Sequence, residues 1–345
     1  MGIQDSIISY VRDGIVSGEF KPEQRLKGRE YFCDKFNTTP ITVQRAFNKL
    51  VERGFVTAEK SVGTFIAERP TCLRQVAFLF AAVPGDRNWT SFSQLVVDSV
   101  STIEKSAGVI VKCYFGMGHT GDNLEVFDEF LQDLACGTLV AAVYLAELRY
   151  FRSIAWKGVD IPYYDVAQPG QAQGNPRIEL TKQEYYEKGI SKFKALGRTK
   201  IAIITLEIFI TEHEDMVKDV FKRNGLEYYE HFVQSFNLEL LTEEKPFWIE
   251  RFLKLLFSLP ESERPDGIFI TDDNFVGRTC RSLVNIGINP GVDVELVGHA
   301  NFPIDQTDYP EIYRLGYHVP NAISNVCKNL ISGISDNILV QPELR

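Results

Sequence analysis

The feature that most constrains the fold lies at Gly54, where the spacing of apolar residues switches from about 3.6 to 2. Before it, three helical patterns follow one another. Ile7, Ile8, Val11, Ile15 and Val16 make one face over Asp5–Ser17, and Gly18 stops that segment. A short helix over residues 28–36 turns Phe32 and Phe36 inward. Thr39-Pro40 supplies an N-cap and a proline at the first helical position, where its missing N–H costs nothing. The third helix, Ile41–Arg53, then buries Val43, Ala46, Phe47, Leu50 and Val51. After Gly54, Phe55–Ala58 and Thr64–Ala67 flank a polar turn with Gly63 near its tip, which reads as a β-hairpin. Three helices and a hairpin make a winged helix-turn-helix, whose third helix can enter a major groove about 12 Å wide.

Charge supports a division of labour. The chain of 345 residues carries a net charge of −9, yet residues 1–70 hold 11 Lys+Arg against 9 Asp+Glu. A slightly basic head therefore precedes a strongly acidic body. In the head, Thr39, Thr42, Gln44, Arg45 and Lys49 lie opposite the buried face of the third helix, as DNA-facing residues would. Lys27, Arg29, Lys60, Ser61 and Thr64 fit contacts to the phosphate backbone. One +2 head attracts a duplex weakly, so a homodimer on a two-part operator is expected.

Two stretches, "IVSGEFKPEQRL" and "FNTTPITVQRAFNKLVERGFVTAEKSVGTFIAE", resemble the DNA-binding domain of the GntR family. The resemblance rests on the turn and arginine after helix one, T-V-x-x-A-x-x-x-L in the third helix and G-T-F in the wing. Lys27-Gly28-Arg29-Glu30 stands where the family usually has Pro-Ser-Glu-Arg. Thr39-Pro40 replaces Ser-Arg, and Gln44 replaces a frequent arginine.

From Arg74 onward, strands and helices alternate, which requires a parallel sheet covered on both faces. Strands are expected at Val76–Ala82, Val109–Phe115, Thr138–Leu145 and Pro162–Val166, with helices at Phe92–Ala107, Leu124–Ala135 and Leu148–Trp156. A second series follows a loop at 168–176. Its helices are Lys182–Leu196, Glu212–Asn224, Pro246–Ser258, Asn274–Ile286 and Pro320–Ile331. Its strands are Ile201–Thr205, Tyr228–Val233, Gly267–Ile270 and Val294–Val297. Two series predict two lobes, with a ligand beyond the carboxyl ends of their strands. The expected class is α/β: a winged helix-turn-helix over 1–69, a linker at 70–73, and a two-lobed effector domain over 74–345.

The blocks "YEKGISKFKALGRTKIAIIT" and "RPDGIFITDDNFVGRTCRSLVNIGINPGVDVELVGHANFP" resemble the LacI/GalR effector domain, which has the periplasmic-binding-protein-like, Rossmann-like fold. The resemblance implies that Asp273 meets ligand hydroxyls. The family's ligand-binding arginine falls near His213–Asp215 and is not arginine here, and an aspartate expected after V-G is replaced within His299-Ala300-Asn301. Asp86, Asn88, Trp89 and Phe92 follow the first strand, where a carboxylate beside flat aromatics suits a sugar; Tyr144, His213 and His299 complete the candidate effector residues. A GntR head on such a sensor is similar to the arabinose-repressor type, which implies a carbohydrate effector.

Other chemistries find little footing. Gly116-Met117-Gly118-His119-Thr120-Gly121 formally matches a dinucleotide fingerprint. Its third glycine precedes the expected helix cap, however, and Glu147 lies beyond the usual ~20 residues, so a plain loop is the preferred reading over an NAD-dependent oxidoreductase. A non-DNA-binding sugar carrier would leave the head without use. No G-x-S-x-G, H-E-x-x-H or P-loop occurs, and six cysteines without a C-x-x-C pair oppose zinc modules and a disulfide framework. No catalytic residues, cofactor or metal are expected. The start lacks a basic, then apolar, leader pattern, which points to a cytoplasmic chain.

Overall fold

The computed structural model describes residues 2–16, 19–60, 62–68, 75–86, 89–118, 123–135, 138–145, 161–165, 178–206, 213–236, 247–303, 309–334 and 338–345. The chain divides into two compact units. One comprises Met1–Asp86, Val100–Arg177 and Ile323–Asn337; the other comprises Arg87–Ser99, Ile178–Ala322 and Ile338–Arg345.

The head of the first unit follows its sequence pattern closely. Helices α1 (Ile3–Val16), α2 (Arg29–Phe36) and α3 (Pro40–Glu52) precede the antiparallel hairpin β1 (Val56–Glu59) and β2 (Gly63–Ile66). The hairpin pairs Val56 with Ile66 and Glu59 with Gly63. Ile7, Ile8, Val11, Phe32, Val43, Leu50 and Phe55 are its buried core. Asn37 takes a left-handed conformation that ends α2, so the chain can turn sharply into α3. Val51, expected inside, is exposed. It sits in the last turn of α3, where Phe55 and Val56 of the hairpin already fill the core.

The rest of this unit is built on four parallel strands in the order β4-β3-β5-β6. They are β3 (Gln75–Leu79), β4 (Ile110–Tyr114), β5 (Leu139–Tyr144) and β6 (Tyr163–Asp165), with helices α5 (Val100–Ala107) and α6 (Leu124–Ala135). The single helix expected over Phe92–Ala107 is instead two: α4 (Ser91–Asp98), which falls in the second unit, and α5. Ser99 ends α4, its N–H shared among the carbonyls of Leu95, Val96 and Val97. The run Ser99-Val100-Ser101-Thr102 is poor in helix formers, so a break there is inexpensive. The helix expected at Leu148–Trp156, the linker at 70–73 and the loop at 168–176 lie outside the described residues.

The second unit holds a six-stranded sheet in the order β14-β12-β11-β10-β8-β9. Its strands are β8 (Ile201–Leu206), β9 (Val233–Phe236), β10 (Gly267–Ile270), β11 (Glu295–Phe302), β12 (Tyr313–His318) and β14 (Glu343–Leu344). All pair in parallel except the short β14 against β12. A separate parallel pair joins β7 (Ile178–Leu180) to β13 (Ile338–Val340). Helices α7 (Lys182–Ala195) and α8 (Glu214–Asn224) cover one face, where Phe269, Ile203 and Val297 meet Tyr185, Phe193 and Phe221. Helices α9 (Phe247–Ser258) and α10 (Asp273–Asn285) cover the other, where Ile204, Ile268 and Leu296 meet Ile249, Leu253 and Phe275. Alternating strand residues feed two apolar layers, as a doubly covered parallel sheet demands. Helix α11 (Val319–Ser332) contains the division between the two units.

Three differences bear on function. The strand expected at Tyr228–Val233 starts at Val233, because Glu230–Phe232 forms a 3-10 turn that buries Phe232. Strand β11 runs to Phe302 rather than Val297, which brings His299 and Asn301 into the sheet. Strand β12 was not expected, although Tyr313, Leu315 and Tyr317 alternate with Arg314, Gly316 and His318.

Candidate DNA-binding and ligand-binding sites

Two groups of polar residues stand apart from this packing. In the head, the first turn of α3 is held by Thr39, whose hydroxyl accepts from the Thr42 N–H at 3.4 Å and lies 3.1 Å from the Thr42 hydroxyl. Burial of Val43, Ala46, Phe47 and Leu50 turns Ile41, Arg45 and Asn48 outward. Between α3, the start of α2 and the hairpin lies a groove of about 860 Å³. Lys27, Arg29, Gln44, Lys60 and Thr64, all expected DNA contacts, line it, as does Arg25. Four basic side chains thus face one acidic one, Glu59. Arg45, which is exposed, and Lys49 lie on α3 outside the groove lining. Ser61 lies outside the described residues.

Arg25 is the residue that the list of expected contacts lacked. Its backbone bridges Phe65 and its guanidinium lies against Gly63, near the tip of the wing. A Cβ on Gly63 would come within 2.8 Å of Arg25 Nε, so glycine there leaves room for the cation. Its signal in the sequence is its place directly after the turn that follows helix one. Lys27 also sits 4.2 Å above the Tyr31 ring, and Lys35 sits 3.8 Å above Tyr10. These contacts hold flexible cations over aromatic faces.

In the second unit, the carboxyl ends of the strands carry the other group. The β10 strand leads into Thr271, Asp272 and Asp273. Asp272 is the N-cap of α10, accepting from the Asn274 N–H at 2.9 Å, and Asp273 is the first helical residue. The helix therefore starts at Asp273, one residue earlier than the start expected at Asn274, and its cap is Asp272. Asp273 accepts from Asn301 Nδ2 at 3.0 Å, across from β11. Also on β11, His299 Nδ1 lies 3.1 Å from the Tyr185 hydroxyl at the start of α7. Lys182, which opens α7, places Nζ 2.6 Å from His213 Nε2 at the start of α8. The Thr271 hydroxyl donates to that of Thr205 at the end of β8. Burial, with the charge of Asp273 adding to it, raises the Asp272 carboxyl above the ordinary carboxylate range.

The structure thus brings His213, Asp273 and His299 to one edge of one sheet, together with Lys182, Tyr185, Thr205, Asp272 and Asn301, which were not on the candidate list. Helix α7 runs antiparallel to the strands, so its first turn lies at their carboxyl ends; that topological rule was the signal for Lys182 and Tyr185. The edge offers carboxylate and amide acceptors beside hydroxyl and amide donors, chemistry that fits a ligand with several hydroxyl groups.

The residues after β3 fare differently. Asp86 closes a turn by accepting from the Val83 N–H at 3.4 Å and belongs to the first unit, whereas Trp89 and Phe92 belong to the second. Trp89 donates its indole N–H to Gln94 at 2.8 Å. Asn88 lies outside the described residues. Tyr144, proposed from its place at a strand end, is instead 1% exposed, its ring edge-on to Tyr163 in the apolar core of the four-stranded sheet. Of the glycine loop, Gly116 is left-handed (φ 76°), and a Cβ on Gly118 would lie 2.7 Å from the Ala81 carbonyl oxygen; 119–121 lie outside the described residues. Local packing thus explains the two described glycines.

Among the described residues Cys33, Cys113, Cys280 and Cys327 are free thiols, and no group of three or more His, Cys, Asp or Glu could hold a metal ion. No described helix is long and apolar enough to cross a membrane.

A winged helix with a basic groove, followed by parallel α/β units, is the build of a DNA-binding head joined to a periplasmic-binding-protein-like domain. Residues 3–66 match the family described as "Bacterial regulatory proteins, gntR family", so the chain carries a GntR-family helix-turn-helix domain at its N-terminus. The HTH-type transcriptional regulator YurK of Bacillus subtilis (strain 168), itself uncharacterized, is 34% identical over 56 residues, 16% of this chain and 23% of that protein. The chain therefore matches about a quarter of that relative's length. Among solved structures, a LacI-family regulatory protein from Chloroflexus aggregans superposes with a TM-score of 0.58 at 13% identity, covering 79% of this chain and 96% of that one. The transcriptional regulator CelR in complex with cellobiose gives 0.61 at 15% identity, covering 89% and 90%. The fold beyond the head is that of LacI-family regulators.

Proposed function

We propose that this chain is a one-component transcription regulator that binds operator DNA through α3 and the wing and senses a small polyhydroxyl metabolite, a carbohydrate, in the body. The observation that carries the reading is the basic groove formed by Arg25, Lys27, Arg29 and Lys60 beside the outward face of α3, in a GntR-family domain. A duplex meeting it would release counterions from its phosphates, and Arg45 and Lys49 would add to the attraction. On this reading residues 1–69 are the DNA-binding domain, 70–73 the linker and 74–345 the sensor.

The ligand half-site is the carboxyl edge of the six-stranded sheet, with Asp273, Asn301 and His299 as its hydrogen-bonding groups. CelR, a fold neighbour, was solved with cellobiose, which supports a sugar. Ligand binding would act by favouring one arrangement of a homodimer over another, so that it couples to operator affinity. The chain works in the cytoplasm and performs no catalysis.

The test is selection of genomic fragments by the full-length protein, followed by a salt titration. An enriched sequence whose binding weakens steeply with salt is expected. No enriched sequence, or salt-independent binding, would overturn the reading. A thermal-shift screen across monosaccharides, disaccharides, sugar phosphates and sugar acids identifies the effector, because a ligand of the folded form raises the melting temperature.

A further inference from the structure

The recognition helix carries a row that the charge argument leaves unused. Ile41 is 67% exposed, although it opens a helix whose other large aliphatic residues up to Leu50 are buried. Gln44 and Asn48 continue from it at i+3 and i+7, Asn48 exposed and Gln44 half-buried where it lines the basic groove. The Gln44 amide N–H donates to Asn48 Oδ1 at 2.7 Å. This pairing leaves Gln44 Oε1 as an acceptor and Asn48 Nδ2 as a donor. If both amides are flipped, one donor and one acceptor still remain.

We propose that this row reads an A·T-rich step in the operator: the joined Gln44–Asn48 amides recognise adenine, and Ile41 packs on the C5-methyl group of a thymine. The inference rests on the DNA-binding reading above. In the major groove adenine shows an acceptor (N7) beside a donor (N6–H₂), the complement of the pair left free here. Guanine shows two acceptors and matches it at only one atom. Thymine alone among the bases presents a methyl group there. One of the Thr39 and Thr42 hydroxyls donates to the other at the cap, and Ile41 is the large apolar side chain that the first turn exposes. The N-terminal residues of a recognition helix are the ones that reach base edges, which is where Ile41 stands.

The experiment uses full-length protein and synthetic duplexes carrying the operator from the fragment selection. Each thymine in a half-site is replaced by deoxyuridine, which removes only the methyl group, and each adenine is replaced in turn by guanine with its pairing base. At one position per half-site the loss of the methyl is expected to weaken wild-type binding about fourfold, the worth of one buried methyl-sized group. At a neighbouring adenine the change to guanine is expected to cost about tenfold or more. Ile41→Ala, at an exposed site where alanine favours helix, should abolish the deoxyuridine effect and leave the salt dependence unchanged. Gln44→Ala with Asn48→Ala should abolish the adenine preference.

Deoxyuridine without effect at every position, on an operator the protein does bind, overturns the inference and leaves the regulator reading standing. Persistence of the effect in Ile41→Ala overturns the assignment to Ile41. Failure to enrich or bind any duplex removes the regulator reading, and this inference with it.

Discussion

The two candidate sites are built in opposite ways. The head presents exposed side chains on a short helix and a hairpin, over a small core of Ile7, Val11, Phe32, Val43 and Leu50. Its chemistry is concentrated between Arg25 and Thr64. The edge of the six-stranded sheet collects buried and half-buried groups from Lys182 to Asn301, drawn from five elements and already hydrogen-bonded to one another. A duplex is a large polyanion that open cations can meet without burial. A small ligand must displace internal hydrogen bonds and find partners of equal quality. The contrast therefore predicts that changes in the head act on affinity with little effect on the sheet, whereas changes at the sheet edge act on ligand binding and stability together.

The strongest way to break that contrast is Phe269→Ala. Phe269 is fully buried, stacked on Tyr185 beneath the candidate ligand edge. Its loss should cost about 3–5 kcal/mol in the second unit. Hydrogen exchange should show Ile201–Ile204 losing protection while Ile7, Val11 and Leu50 keep theirs. Loss of protection in both places would mean that the regions are not energetically separate.

Next in size is Asp273→Asn, which keeps the shape of the side chain but removes its charge. Hydrogen bonds to a charged group contribute about 1.5–3 kcal/mol, so affinity for the effector found by thermal shift should fall at least tenfold by calorimetry. Operator affinity without effector should stay the same. Equal ligand affinity would take Asp273 out of the site. Arg45→Ala sharpens the other side: operator binding should weaken, with the slope of log affinity against log salt falling by about one if Arg45 meets a phosphate. An unchanged affinity would remove Arg45 from the interface.

The smallest effect concerns pH. Burial and Asp273 raise the Asp272 carboxyl in the folded state, above the unfolded value of about 3.9. The unfolded chain then loses its proton first, so the stability contribution present at low pH is lost as pH rises from about 4 through the raised folded value. Asp272→Asn retains an N-cap that can accept from the Asn274 N–H and should flatten this dependence. Melting temperatures between pH 4 and 7 check it; parallel curves for the two proteins would contradict the burial argument.

How far the sequence announced each region follows from the same contrast. In the head every determinant is local: the Thr39-Pro40 cap, the burial spacing of Val43, Phe47 and Leu50, and the period change after Gly54 all lie within about one turn of the residues they place. Lys27, Arg29, Gln44, Lys60 and Thr64 could therefore be named from the chain alone. Arg25 escaped because its position depends on the close approach allowed by Gly63. At the sheet edge, Asp273, His213 and His299 were legible from strand and helix ends. Their partners depend on tertiary packing: the β10–β11 pairing brings Asn301 to Asp273, and the docking of α7 on the sheet brings Lys182 to His213 and Tyr185 to His299. Tyr144 shows the reverse error: a strand-end tyrosine reads as a ligand group until packing against Tyr163 shows it inside the core. Strand β12 is masked in the sequence because Arg314, Gly316 and His318 interrupt its apolar residues, and the glycine is set by the close approach of the Ala300 backbone on β11.

Coupling is the heart of the account, and one titration tests it. Full-length protein is titrated onto its selected operator with and without a saturating effector, and effector affinity is measured with and without operator. The account predicts that the effector changes operator affinity at least fivefold and that the operator changes effector affinity by the same factor, as linkage requires. An effector that raises the melting temperature yet leaves operator affinity unchanged would contradict it.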